Sequence, residues 1–381
     1  MRPLVSHRFF LRFALSGAMV FAWAFLFQYF CILTGDTAIA LAQLALLYAL
    51  SSTVTCLVTP YAARALRGGV RRTIVYALLA VAGAFILLGS AFQGYWGVAY
   101  TSTAVTAFSV LLGLYRALYW IPYEVERAPE GTAQRSMTGE IGIALVPLIA
   151  GLYIAFSVMA PVWLFYIAAA IAVLSVVPLL SIRERYEDFS WGYRQTFHEL
   201  LSREHRASVT HSILEGMSGA ALLLFWPLAV LLLVGWAYDM LGAILSLTFL
   251  VAIFLRAPVR FALRRAKLQD SRLLKTTLAV TPWLFRLAIA TPFAVVLTDS
   301  YFYTTTPRRL GVDPFTFEQV SDGGSLIDEY TALKEMALSI GRIAICILGA
   351  ATALLFSAPL AFLVVFLVAA LGSASLALKS R

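Results

Sequence analysis

The chain has 381 residues, of which 61% are hydrophobic and 13% charged. Soluble globular chains run about 45–50% apolar and about 25% charged, so no soluble core could bury this excess, and the mean hydropathy of +0.84 agrees. A soluble enzyme, a nucleic-acid reader and a disordered scaffold are thereby set aside. The net charge of +9 is not read as affinity for nucleic acid, because basic residues gather on the cytoplasmic side of membrane proteins for topological reasons.

A helix needs roughly 20 apolar residues to cross the hydrocarbon core. Spans are predicted at 13–34, 38–62, 73–94, 98–122, 137–158, 161–182, 210–234, 239–256, 275–291, 293–309, 329–356 and 358–378. The first follows Arg2, Arg8 and Arg12. It is longer than the roughly 7–15 residues of a signal-peptide core and is read as a retained span. The ninth and tenth are divided at Thr291-Pro292, since proline cannot continue the hydrogen-bond ladder of the helix before it. One long span there would make eleven crossings instead of twelve.

All of the 29 basic residues except Arg116, Arg286 and Arg342 fall at the two termini or in and beside the even-numbered gaps between spans. The odd-numbered gaps hold none. By the positive-inside rule both termini are expected in the cytoplasm, in a protein of the cytoplasmic (inner) membrane.

Residues 183–209 form the longest polar stretch, with six predicted spans before it and six after. The expected organisation is a bundle at 1–182, a cytoplasmic linker at 183–209 and a second bundle at 210–381. Within the linker, Phe189, Tyr193, Phe197 and Leu200 recur at helical spacing. Either an amphipathic helix at the membrane surface or a solvated linker accounts for them. The gap after the second span of each half begins at a proline and runs into arginines: PYAARALRGGVRR from Pro60 and PVRFALRRAK from Pro258. Two related halves are a recurrent transporter architecture.

In this layout of six spans, a basic linker and six spans, with arginine-rich second and eighth gaps, the chain resembles the major facilitator superfamily of secondary transporters. The family's loop motif runs G-x-x-x-D-x-x-G-R-K/R. Here Pro60 stands near the glycine and Arg64 near the aspartate, and Gly68-Gly69-Val70-Arg71-Arg72 closes it. The acid is missing, which puts the family's loop salt bridge in question. GEIGIALVPLIAG from Gly139 is similar to the glycine-proline motif of the family's antiporters, without the glycine before Pro147. The resemblance implies an all-α polytopic membrane protein of twelve transmembrane helices in two six-helix bundles. It also implies movement of a small solute by alternating access, with the first, fourth, seventh and tenth spans lining the cavity. Gln28, Arg116, Glu215 and Asp299 lie on those spans and are the expected substrate-binding or coupling residues.

Ionisable groups inside a bilayer cost a few kcal/mol or more each and are usually paired or functional. Helix rise of about 1.5 Å per residue puts Arg286 and Asp299, on either side of the Thr291-Pro292 turn, at similar depth. An ion pair is expected there, either a clamp between the ninth and tenth spans or a proton or substrate site. Arg116 and Glu140 are close enough in depth to brace the hairpin of the fourth and fifth spans. The other reading gives Arg116 to the substrate, with Tyr115 and Tyr119 forming an aromatic-basic surface fit for an organic anion. Glu335 and Arg342 are seven apart and share a helix face. The expected partner of Arg342 is Glu215 or another acid. Glu140, Arg286, Glu335 and Arg342 are thus ion-pair or gate residues, and Glu215, Asp299 and Glu335 are the carboxylates open to proton coupling.

Cys31, Cys56 and Cys346 lie far apart in apolar stretches and read as small apolar fillers. His7, His198, His205 and His211 form no HExxH motif, and no GxxxxGK[ST] phosphate loop is present. No cofactor or metal is expected. The acidic stretch after Pro307 lacks calcium-loop spacing, and Asp322-Gly323-Gly324-Ser325 reads as a turn before a helix. The expected partners are a small-molecule solute, protons as coupling ion, and membrane lipids, with no nucleic acid. A transport-inactive scaffold or sensor is the alternative. A lipid-modifying membrane enzyme is disfavoured by the scarcity of His and Cys.

Overall fold

The computed structural model of the protein describes residues 3–93, 97–127, 137–157, 159–265, 272–305, 312–313, 318–319 and 327–379. The expected turn at Asp322-Gly323-Gly324-Ser325 lies outside them. The first half comprises α1 (Pro3–Thr34), α2 (Thr37–Ala65), α3 (Val70–Phe92), α4 (Gly97–Arg127), α5 (Met137–Phe156) and α6 (Ala160–Leu174), which a short α7 (Val176–Leu179) extends. A linker helix α8 (Tyr193–Leu201) follows. The second half opens with α9 (Arg206–Ala220), a π-helical turn at Ala221–Phe225 and α10 (Trp226–Leu233), which together make one span. It continues with α11 (Tyr238–Arg265), α12 (Arg272–Leu287), α13 (Pro292–Thr305), α14 (Ile327–Leu355) and α15 (Ala358–Lys379). Val312–Asp313 and Glu318–Gln319 pair as a two-residue antiparallel ladder.

Among the described residues, ten helical segments are long and apolar enough to cross a membrane. The helices α12 and α13 are shorter, with 16 and 14 residues, a rise of only about 24 and 21 Å. They form the hairpin expected around Thr291-Pro292, and Pro292 opens α13. Proline suits that first position, where its missing N–H would find no partner in any case. Asp36 caps α2 in the same local manner, its Oδ1 accepting from the Ala38 and Ile39 amides at 2.6 and 3.4 Å.

The apolar pattern places the helices. A helix that is hydrophobic all round is buried on every side, and α1 is such a helix, from Leu11 through Phe27 almost without exposed residues. Outer helices leave apolar side chains uncovered: Trp163 on α6, Phe254 on α11 and Leu363 on α15 are all exposed. These face the hydrocarbon of a bilayer, where no hydrophobic penalty applies. The end of α1 near the amino terminus is stitched to its bundle by buried His7. Its Nδ1–H donates to the Ser175 carbonyl oxygen at 2.9 Å, and its Nε2 meets the Tyr119 hydroxyl at 3.1 Å.

Two seams join the halves, α2 against α14 and α5 against α11. In the second, backbones nearly touch. A Cβ on Gly242 would lie 2.3 Å from the Pro147 carbonyl oxygen, and one on Gly151 would lie 2.5 Å from that of Tyr238. Only glycine permits that approach. Ser246 on α11 accepts from the Leu148 amide at 2.9 Å. The Gly139–Gly151 stretch thus builds the joint between the halves.

The linker departs from both readings of its periodicity. Leu200 and Phe189 are buried, and Tyr193 packs on Tyr61 of α2 with ring centroids 4.5 Å apart. Helix α8 therefore lies against protein, packed on α2 and α14. The span after it starts at Arg206 instead of 210.

Candidate functional site

Helices α2, α4 and α14 pack together, and α4 and α14 carry buried charge. Arg116 leaves α4 near its middle and is only 4% exposed. It does not reach Glu140, which stands half-buried in the first turn of α5. Instead the guanidinium turns toward α2. Nη1 donates to the Ser51 hydroxyl at 3.5 Å, and the group lies 5.0 Å from the centre of the Tyr48 ring. Such stacking is worth about 2 kcal/mol when desolvated. Among the described residues no carboxylate pairs with Arg116. The brace with Glu140 fails because Ser51 and Tyr48 sit at the depth of Arg116, whereas Glu140 sits at a helix end. The rings of Tyr115 and Tyr119 lie tilted against one another, with centroids 5.3 Å apart.

Helix α14 supplies the opposite wall. Arg342 donates from Nη1 to Glu335 Oε1 at 3.1 Å, with both side chains at most 2% exposed. The partner expected in Glu215 is thus found on the same helix face, two turns away. Glu335 Oε2 is buried without a hydrogen-bond partner. One face further round, Lys334 Nζ comes within 3.8 Å of Glu215 Oε2, and His211 Nδ1 within 3.7 Å of Glu215 Oε1. Cys346, fully buried on α14, lies within the electrostatic reach of both Arg116 and Arg342.

A second charged centre lies inside the second half. Arg286, in the last turn of α12, donates to Asp299 Oδ1 from Nη2 at 2.8 Å and from Nε at 3.2 Å. The other oxygen, Oδ2, accepts from the Trp226 indole at 2.8 Å. The guanidinium is enclosed by Trp226, Trp283 and Phe302, with ring centres at 5.1, 4.5 and 4.7 Å. Trp226 stands just after the π-helical turn. Pro227 accounts for that turn, since it cannot donate to the carbonyl of Leu223 and its ring crowds it. A guanidinium from α12 and an indole from α10 thus satisfy the carboxylate on α13.

Gln28 sits where the halves meet at the end opposite the linker. Its Oε1 accepts from the Tyr238 hydroxyl of α11 at 2.6 Å. Phe25 packs on the same ring at 4.6 Å, and Phe27 stacks on Trp236 at 5.5 Å. Trp236 has φ of +68°, a strained conformation for a bulky residue, of the kind found where function over-determines the backbone.

At the linker end, the acid missing from the loop between α2 and α3 is replaced from elsewhere. Glu184 accepts from the Arg71 amide at 2.8 Å and from Arg71 Nε at 3.0 Å. Arg67 pairs with Asp188 at 3.0 Å. A Cβ on Gly69, whose φ is +122°, would collide with the Glu184 carboxylate at 2.6 Å. Ser190 in turn donates to Glu329 of the second half at 2.6 Å. Sequence reasoning missed Glu184, Tyr48, Trp226 and Tyr238. Of these only Glu184 carries a local signal, as an acid in an otherwise arginine-rich segment.

No family model matches the sequence, and no curated protein matches it. Solved structures do match. The nucleoside transporter NupG aligns with 98% of this chain and 97% of its own, at a TM-score of 0.60 and 15% identity. A POT family transporter in complex with 5-aminolevulinic acid aligns with 97% of this chain and 94% of its own, at 0.64 and 12% identity. A D-xylose-proton symporter aligns with 98% and 95%, at 0.62 and 13% identity. At such identity the likeness is one of fold, and it extends over nearly the whole length: the chain is an integral membrane protein with the major facilitator fold.

Proposed function

We propose that the chain is a secondary active transporter that moves a small organic solute across the cytoplasmic membrane by alternating access. The observation that carries this reading is the placement of buried charge. In a fold shared along its length with a nucleoside, a POT family and a xylose transporter, Arg116, Glu335 and Arg342 line the junction of the two halves. Solute sites in such carriers lie at that junction, near the bilayer midplane. With α12 and α13 as short crossings the spans number twelve, and both termini are cytoplasmic.

The roles divide by environment. Gln28 and Tyr238 belong to a seal that is closed in this structure at the end away from the linker. Arg286 and Asp299 hold α12, α13 and the Trp226 span together, since every bond of that carboxylate is already taken up within one bundle. Glu335 is the proton-coupling group: it is buried, paired through one oxygen, and free at the other. The scaffold alternative drew on the missing loop acid, and Glu184 supplies that acid from the linker. The test is uptake into proteoliposomes containing the purified chain. Accumulation that depends on an imposed proton gradient supports the proposal. Absence of gradient-driven flux and of counterflow for every nucleoside, peptide, sugar and organic acid offered would refute it.

A further inference from the structure

A group that couples a proton gradient must exchange its proton with water, and Glu335 is 1% exposed. Thr331 and Ser339, one turn before it and one turn after, are both 0% exposed. At spacings of four they share its face of α14. Thr331 Oγ1, Glu335 Oε2 and Ser339 Oγ are all buried, and none has a hydrogen-bond partner among the described residues. No other helix carries more than two such atoms among the described residues. Helical threonines elsewhere satisfy themselves. Thr352 of α14 donates to the Leu348 carbonyl oxygen at 2.8 Å, and Thr55 and Thr59 of α2 donate to those of Ser51 and Thr55. The neighbouring faces of α14 are closed. Leu333, Met336 and Ala337 form an apolar cluster with Cys56 of α2 and Leu200 of α8. On the other side α14 meets α9 backbone to backbone: a Cβ on Gly216 would strike the Leu338 carbonyl, and one on Gly341 that of Ile213. The charged groups around the stripe are engaged: Arg342 with Glu335 Oε1, Lys334 and His211 with Glu215 of α9, and Arg116 of α4 with Ser51 and Tyr48 of α2.

Successive members of the stripe stand about 6 Å apart along the helix axis. That is too far for a direct hydrogen bond and close to twice the usual O···O length of about 2.8 Å, the span of one bridging water. Buried polar atoms that the protein leaves unmatched are ordinarily matched by ordered water. At the linker end, a cleft between α9 and α14 with room for about one water molecule is lined by His205, Ser208, Ser212, Tyr330 and Lys334. It touches α14 at residues on either side of Thr331 in the chain. We propose that Thr331, Glu335 and Ser339 hold a file of water along α14, and that Thr331 relays protons between the linker end and Glu335. A hydroxyl accepts one hydrogen bond and donates another. A proton bound for Glu335 Oε2 therefore moves by exchange of O–H bonds. Each relay oxygen loses one proton as it gains another, and only the carboxylate ends with a proton more. Ser339 continues the file toward the depth of Arg342. This inference rests on the coupling role given to Glu335, but the route can be tested without any solute.

Infrared spectroscopy of the reconstituted full-length chain is the measurement, with the proton itself as probe. An acid jump protonates Glu335, whose carboxyl band is assigned by its loss in Glu335→Gln. Thr331→Val keeps the shape of the side chain without the hydroxyl and slows the rise of that band about tenfold or more. Thr331→Ser restores the rate. Thermal unfolding in detergent reads hydration separately. A hydroxyl bound to water loses partners when it is removed, so Thr331→Val and Ser339→Ala each melt below the wild type, whereas removing a dry orphaned hydroxyl raises the Tm. Should Thr331→Val not fold, Thr331→Ala takes its place in the infrared measurement and Ser339→Ala carries the unfolding test. The inference is overturned if the band rises as fast without the Thr331 hydroxyl as with it, if Thr331→Ser is as slow as Thr331→Val, or if either hydroxyl deletion melts above the wild type. A chain in which no Glu335 band rises at any pH has neither the route nor the coupling group, and counterflow then decides the transporter reading alone. Gradient-driven accumulation with a band indifferent to Thr331 would sink the route and leave that reading standing. A band governed by Thr331 in a chain without flux of any solute would do the reverse.

Discussion

Removing either member of the Arg286–Asp299 pair leaves its partner charged and buried. Both side chains are at most 3% exposed, so water cannot step in. Breaking such a pair from one side costs about 3–5 kcal/mol, and Asp299→Leu adds an orphaned Trp226 indole N–H, worth about 1–3 kcal/mol. Arg286→Met loses the pair and the contacts with three aromatic rings, but its side chain still fills the space among them. Replacing both at once, Arg286→Met with Asp299→Leu, removes the charges together. A buried ion pair exchanged for apolar groups of similar volume is about neutral or gains 1–4 kcal/mol. That gain offsets the orphaned indole, and the double variant falls within about 2 kcal/mol of the wild type. SDS-driven unfolding of the purified chain in mixed micelles measures all four proteins, and the double-mutant cycle isolates the pair. Each single variant is expected well below the wild type, with the double variant well above either. A double variant whose deficit equals the sum of the singles would refute the clamp. So would a fully folded Asp299→Asn protein that loses gradient-driven accumulation while keeping counterflow, because that outcome makes Asp299 the coupling group.

Glu335→Gln keeps the hydrogen bond to Arg342 but removes the carboxyl group; counterflow in proteoliposomes persists, and the accumulation ratio under a proton gradient falls to about one, the value for a carrier without coupling. Loss of counterflow as well would assign Glu335 to the binding site. Tyr238→Phe deletes the hydrogen bond to Gln28, worth about 0.5–1.5 kcal/mol. It raises the rate at which half-buried Cys31, one turn beyond Gln28, reacts with a bulky maleimide by about two- to tenfold; an unchanged rate would show that Tyr238 carries no part of the seal. Glu184→Ala unlocks the linker from Arg71 at a cost of about 1–3 kcal/mol. Trypsin then cuts faster at Arg183 and Arg185, with the spans left intact.

The sequence discloses what depends on one helix or one turn. Runs of apolar residues mark the spans, and proline marks the turn before α13. Helix rise alone brings Arg286 beside Asp299. Heptad spacing puts Arg342 over Glu335, which a search for a distant acid passes by. What depends on how helices pack against each other is not written in any one of them. Arg116 pairs with nothing at a readable spacing: Tyr48 and Ser51 reach it because Gly113 lets α4 close on α2, a Cβ there falling 2.3 Å from the Ser51 carbonyl oxygen. Helix α8 has the periodicity of a surface helix, but the surface it covers is the bundle itself. The loop motif lacks its acid in sequence and recovers it in space, through a residue more than a hundred positions away.

The two halves handle charge differently, and the difference bears on how they move. In the second half each described buried acid has a cation inside the same half: Asp299 has Arg286, Glu335 has Arg342, and Glu215 has Lys334. Those pairs cross between α12 and α13 or between α9 and α14, or lie along α14. They travel with the half when it rocks and are not broken by it. Arg116 in the first half has no carboxylate partner among the described residues and lies against Tyr48 and Ser51 of α2. A rocking step that parts α4 from α14 breaks none of these pairs, and it changes the surroundings of one charge without a carboxylate partner among the described residues. That is the arrangement an alternating-access carrier requires. The balance between its two states remains responsive to whatever counter-charge lies beside Arg116. A solute can shift such an equilibrium only by its differential affinity for the two states, and a counter-charge that meets Arg116 in one state alone supplies that difference.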